Sequence, residues 1–176
     1  MAASLDTYDE VYSVHPRNKQ IVAERLRISA GNQVYGMEWY PLNGPYPTSY
    51  SIQQPVLFLN YHIDTLLEIP KISYDNSDTS GFYSCCVPFE ICDANISRNS
   101  SWNLMDKNTI AAYPESGDFY VDYSNECGGN PFAVTGIAYL WEDIPTRRSL
   151  GAPIYSDDEY RLPATPWKYD IATLLS

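Results

Sequence analysis

The chain has 176 residues, enough for one substantial hydrophobic core with a short appendage and too few for two full domains. Its formal net charge of -11 at pH 7 sets it against phosphate backbones and anionic lipid surfaces, which argues against nucleic acid as a partner. No stretch approaches the roughly 20 apolar residues of a membrane span, whereas 16 tyrosines, 13 prolines and a 14% aromatic fraction favour strands and rigid turns.

Met1 to Val14 shows no sustained periodicity and reads as an irregular opening segment. His15 and Pro16 follow, and from Lys19 the pattern changes: Val22, Leu26, Ala30 and Val34 recur every fourth residue, with Glu24, Arg25 and Arg27 free to face water. This spacing predicts an amphipathic helix from Lys19. Pro16 suits its first turn, and the helix is expected to fray near Gly31-Asn32 and end by Gly36, with Tyr35 packed at its end.

The proline-rich stretch Tyr40 to Pro47 cannot be a regular helix, and residues 39–50 are expected to be a linker. Beyond it come β-prone runs at Pro55–Tyr61, Thr65–Ile72, Gly81–Ile91, Phe119–Tyr123 and Phe132–Trp141, separated by turn-rich segments such as Cys127-Gly128-Gly129-Asn130-Pro131. Helices do not alternate with these strands, so the fold class is mainly β, an antiparallel β-sandwich preceded by one helix. The tail from Pro153 to Pro166 is expected to wrap over the sandwich in an extended form.

Four cysteines, Cys85, Cys86, Cys92 and Cys127, suit disulfides, with buried free thiols as the other reading. The acceptor sequences Asn95-Ile96-Ser97 and Asn99-Ser100-Ser101 lie in a polar stretch suited to N-glycosylation of an exposed loop. Both features point to a secreted or lysosomal protein. The N-terminus carries no basic segment followed by an apolar run, so a signal peptide is expected upstream of this sequence.

Metal and cofactor chemistry find no support in the sequence. There is no His-Glu-x-x-His spacing, no phosphate-binding glycine loop and no Gly-x-Ser-x-Gly elbow, and the adjacent thiols of Cys85 and Cys86 cannot readily share one tetrahedral ion. His15, on a loop before a helix, reads either as a structural group at the helix mouth or as a general base. The second role needs a nucleophile and an acidic partner, and Asp6, Asp9 and Glu10 lie just upstream. Trp39, Trp102, Trp141 and Trp167 read either as core or as surfaces that stack on sugar rings.

The succession Val14-His15-Pro16-Arg17-Asn18-Lys19-Gln20, Val22-Ala23-Glu24-Arg25-Leu26, Val34-Tyr35-Gly36 and Gly44-Pro45 resembles the C-terminal part of the sialate O-acetylesterases. The likeness continues through Cys85-Cys86, Cys92, Trp102, Cys127, Ala138-Tyr139-Leu140-Trp141, Pro153-Ile154-Tyr155 and Leu162-Pro163-Ala164-Thr165-Pro166-Trp167.

That family comprises serine esterases of the SGNH hydrolase type. The resemblance implies that residues 1–38 end an incomplete α/β hydrolase domain and that residues 51–176 form an accessory β-sandwich. It implies that His15 is the catalytic histidine and that the substrate is an O-acetylated sialic acid or sialoglycoconjugate. The acidic residue that often lies three positions before the histidine is Tyr12 here, which leaves Asp9 as the candidate partner. The nucleophilic serine and oxyanion hole belong to a region outside this sequence, so the chain alone is expected to be inactive; a non-catalytic carbohydrate-binding or interaction module is the alternative. A second close cysteine pair of the relatives is replaced by Ile144 to Gly151, so the four cysteines are expected to pair among themselves. Cys85 or Cys86 would join Cys127 and the other Cys92, one outcome among three connectivities.

Overall fold

The computed structural model describes residues 19–38, 44–62, 72–75, 81–94, 101–113, 116–140, 153–157 and 161–175. Helix α1 (Lys19–Gln33) forms where the spacing predicts it, and Gly36 beyond its end adopts φ +63°. Its buried face differs from the expected one. Arg25, Ile28, Ser29 and Gly31 are buried, while Leu26 is 56% exposed and both Val34 and Tyr35 are 72% exposed. The buried positions are small or amphipathic residues three and four apart, a pattern that apolar periodicity does not register. On the open face Glu24 accepts from Arg27 at 2.5 Å.

Ten strands follow. The first sheet has the order β1 (Tyr46–Gln53), β2 (Val56–His62), β7 (Asp118–Asp122), β6 (Ile110–Tyr113), and the second β10 (Trp167–Asp170), β8 (Gly136–Tyr139), β4 (Phe82–Cys85), β5 (Trp102–Leu104). A two-stranded sheet joins β3 (Ile72–Tyr74) to β9 (Ile154–Ser156), and every pairing is antiparallel. The architecture is an antiparallel β-sandwich.

The stretch at 39–50 is not linker throughout, because β1 begins at Tyr46. An edge strand tolerates Pro47, whose missing N–H need not reach a neighbour, and the register slips there between Pro47 and Ser49. The run Gly81–Ile91 is not one strand either: it breaks after Cys85, and helix α2 (Phe89–Ala94) takes over. Pro88 stands at the helix mouth, its carbonyl accepting from Ile91 N at 2.9 Å. Likewise Pro131–Ala133 is a 3-10 turn, and only Gly136–Tyr139 of the Phe132–Trp141 run is strand. Of Thr65–Ile72, only Ile72 lies among the described residues, and it begins β3.

Strand alternation fills the space between the sheets. Leu57, Leu59, Tyr61, Phe119, Val121 and Tyr123 point inward from the first sheet, to meet Phe82, Ile137, Tyr139 and Trp167 from the second. Tyr61 is the bridge: its hydroxyl accepts from Trp167 Nε1 at 2.6 Å, and its ring packs edge-on against Phe119 at 5.0 Å and Tyr139 at 6.3 Å. The tail is not one extended run as expected: residues 162–164 return antiparallel to β9, and Arg161 adopts φ +43°. Tyr155 bridges Pro163, Ala164 N donates to Ile154 O at 2.9 Å, and Ile154 N donates to the buried Tyr139 hydroxyl at 3.1 Å. Asp170 caps the short closing helix α4 (Ile171–Leu175), accepting from Ala172 N at 2.9 Å and from Thr173 Oγ1 at 3.1 Å.

Candidate functional site

The residues singled out for catalysis, His15 and Asp9, lie outside the described residues, as do the glycosylation candidates Asn95 and Asn99. The cysteines do not. Cys85 bonds to Cys92, and Cys86 to Cys127, so the alternatives left by the sequence reduce to one connectivity and no cysteine is free.

These bonds build a cap over the outer face of the second sheet. Pro88 turns the chain, α2 folds back, and Cys92 returns to Cys85; both residues are fully buried. Phe89 of α2 meets Trp102 of β5 edge to face, with ring centroids 6.2 Å apart, and both rings lie over Gly136 of β8. A Cβ at Gly136 would stand 2.6 Å from Phe89 Cδ2, so this close approach needs glycine. Trp102 Nε1 donates to Cys92 O at 3.1 Å, and Thr135 Oγ1 donates to the carbonyls of Val87 and Cys85.

The other bond, Cys86–Cys127, anchors the turn α3 (Glu126–Gly129). Here Cys127, Gly128 and Gly129 all adopt positive φ, and Glu126 accepts from the buried Ser84 hydroxyl at 2.5 Å. With every sulfur in a disulfide, the cap offers no thiolate for nucleophilic or metal chemistry. Among the described residues no group of His, Cys, Asp and Glu is arranged to hold a metal ion. The cap is a structural seal.

The tryptophans follow the same logic. Trp102 and Trp167 are buried, filling the cap and the inter-sheet core, and are unavailable to a ligand; Trp39 and Trp141 lie outside the described residues. His62 ends β2, its backbone paired with Tyr46.

The outer face of the first sheet has a different composition. Phe58 of β2 sits directly across from Tyr120 of β7, with ring centroids 4.9 Å apart, and Tyr113 of β6 continues the row diagonally at 5.2 Å from Tyr120. One step along the strands, Asn60, Asp118 and Tyr113 align across β2, β7 and β6. Asp118 accepts from Asn60 Nδ2 at 2.8 Å and from Ser116 Oγ at 2.6 Å. The hydrogen bond from Ser116 and then that from Asn60 hold its carboxyl below the ordinary carboxylate range. This row was not singled out from the sequence. Its alternation is visible in each strand, but the alignment depends on a register between β2 and β7, which are remote in sequence.

Fold and cap together define a disulfide-tied antiparallel β-sandwich with one sealed outer face and one that carries half-buried Phe58 and Tyr120 beside the exposed Tyr113. The sequence from residue 53 to 171, more than half of the chain, matches the family described as sialate O-acetylesterase C-terminal domain. The chain belongs to that family. Among solved structures it is similar to a carbohydrate acetylesterase from Xanthomonas citri, with a TM-score of 0.61 at 17% identity. The likeness covers 96% of this chain and 32% of that one, so the chain spans about a third of the length of the protein it matches. No curated protein matches the chain. No helix among the described residues is long and apolar enough to cross a membrane.

Proposed function

We propose that the chain is the C-terminal portion of a serine carbohydrate esterase that removes O-acetyl groups from sialic acids, with His15 as general base and Asp9 as its acidic partner. In that reaction His15 takes the proton of a serine hydroxyl attacking the acetyl carbonyl and returns it to the departing sugar oxygen; water then releases acetate in a second cycle. The serine and the oxyanion hole come from a region outside these residues. A general base without them accelerates almost nothing, so the chain alone is inactive.

One observation carries this reading. Nearly all of the chain, including a helix that precedes the family match, follows the fold of a carbohydrate acetylesterase about three times as long. The exposed apolar residues Ile21 and Leu26 on α1, with Val34 and Tyr35 just past its end, suit a helix packed against further hydrolase structure. Two disulfides fit an oxidising compartment, which supports a secreted or lysosomal location, with sugar chains carried at Asn95 and Asn99.

The test is acetate release from 9-O-acetyl sialic acid by the chain alone and by a version joined to its upstream coding region. The chain alone is expected to be inert and the joined version active, with His15→Ala abolishing the activity. Turnover by the chain alone, or full activity of His15→Ala in the joined version, rules the assignment out.

A further inference from the structure

We propose that the outer face of the first sheet binds neutral oligosaccharides, with Phe58, Tyr120 and Tyr113 as a stacking track and Asp118 with Asn60 as the hydrogen-bonding edge. The proposal rests on the chemistry of this face and not on the esterase reading.

The sandwich is asymmetric. One outer face is closed by α2 and the Cys85–Cys92 bond, with Tyr83, Trp102 and Ala138 buried beneath. The other carries three contiguous aromatic rings that do not belong to the core. A cross-strand aromatic pair such as Phe58 and Tyr120 serves the sheet by itself. Tyr113 goes further: it lies on the edge strand β6, is 53% exposed, and extends the track beyond that pair. The ring planes are tilted by 64° and 55°, which makes the track corrugated.

Beside the track lies a polar edge of fixed geometry. Asp118 stands directly opposite Tyr113 in the register, so a carboxylate adjoins an exposed ring. Asn60 Nδ2 reaches one of its oxygens and Ser116 Oγ the other, while Asn60 Nδ2 also donates to Ser116 O at 3.2 Å. Each carboxylate oxygen retains acceptor capacity after these bonds. A ring with a carboxylate at its margin suits a pyranose, whose C–H face stacks on the π surface while a hydroxyl at its rim donates to the carboxylate.

Charge selects among sugars. The charged side chains described on this face are Asp118 and Asp122, both carboxylates, on a chain of net charge -11. An anionic sugar would meet like charge there, a neutral one would not. The face is therefore suited to the neutral units of a glycan, and not to the acidic sugar of the proposed esterase reaction.

The experiment follows amide resonances of the full 176-residue chain by NMR during titration with lacto-N-tetraose, xylohexaose and sialyllactose. At least one neutral oligosaccharide is expected to produce saturable shifts at Phe58, Tyr113, Asp118 and Tyr120, with weaker binding of sialyllactose. Tyr113→Ala and Asp118→Asn should each weaken binding by about tenfold, and Tyr113→Phe, which keeps the ring, should retain it. Far-UV circular dichroism checks that each variant is folded. Absence of saturable shifts with both neutral probes overturns the proposal, as does binding indifferent to Tyr113→Ala in a folded variant, or a preference for sialyllactose. Loss of neutral binding in the version joined to the upstream region would also overturn it, identifying the face as a contact between domains. None of these readouts involves acetate release, so failure here and failure of the esterase assignment are distinguishable.

Discussion

Replacing Tyr61 by phenylalanine deletes one oxygen and leaves the aromatic packing in place. The ring keeps its edge contacts with Phe119 and Tyr139, so no cavity contribution arises. What is lost is the acceptor for Trp167 Nε1, a 2.6 Å hydrogen bond between the two sheets in a site where Tyr61 is only 3% exposed. A buried donor left unsatisfied costs about 1–3 kcal/mol, which for a chain of this size lowers Tm by roughly 2–4 °C per kcal/mol. Equilibrium urea unfolding followed by far-UV circular dichroism, with the disulfides intact, measures it. Tyr123→Phe is the control, because the buried Tyr123 hydroxyl has no hydrogen-bond partner among the described residues. Removing that oxygen should leave stability within about 0.5 kcal/mol or raise it slightly. Equal losses from the two substitutions, or no loss from Tyr61→Phe, would refute the view that the Tyr61–Trp167 bond ties the sheets.

Burial drives the hydroxyl pKa values of Tyr61 and Tyr139 well above the ordinary value near 10, since the folded interior disfavours the phenolate. A group with a raised folded pKa contributes stability that is fully present below its unfolded value and is lost as pH rises through the folded one. The urea midpoint should therefore hold up to pH ~10 and fall above it, with a shallower fall in Tyr61→Phe. The two disulfides should differ in weight. Replacing Cys86 and Cys127 together by alanine opens a loop with a separation of 41 residues and is expected to cost about 4 kcal/mol. Replacing Cys85 and Cys92, separated by 7, removes about 2.5 kcal/mol of loop-closure stabilisation, with paired unfolding curves as the check. Gly136→Ala drives a methyl group into Phe89 and Trp102 and should cost about 1–3 kcal/mol, read as a lowered Tm; an unchanged Tm would show that α2 does not press on β8 as described.

The mainly β class was legible because strands β2 and β7 stand out as aliphatic and aromatic runs bounded by turns. Strand β1 was not, because its proline and serines belong to an edge, and edge position is decided by topology. Helix α1 shows the converse. Its existence was readable from spacing, yet its buried face was not, because Ser29 and Gly31 are buried where an apolar stripe was sought. Cysteine count and clustering pointed to two disulfides, but the choice between Cys85 and Cys86 for Cys127 depends on which neighbour faces α2, and the alternation of β4, which puts Cys85 on the outer side with Tyr83, decides that. Within the candidate site, the sequence left the tryptophans as core or as sugar contacts, and the two described ones are core. The exposed ring is Tyr113, whose alignment with Tyr120 and Asp118 exists only once distant strands are in register.

The chain lays down β1 and β2 in the first sheet, crosses to β4 and β5 in the second, returns for β6 and β7, and crosses again for β8. Neither sheet is a contiguous piece of sequence, and the Cys86–Cys127 bond ties the end of β4 to the segment just after β7. Proteolytic cleavage of a connection between residues 86 and 118 would thus yield a two-chain form with its halves still covalently joined and each sheet assembled from both. Such a nick would go unnoticed on a non-reducing gel and appear only after reduction, so the domain can lose chain continuity there without losing a strand.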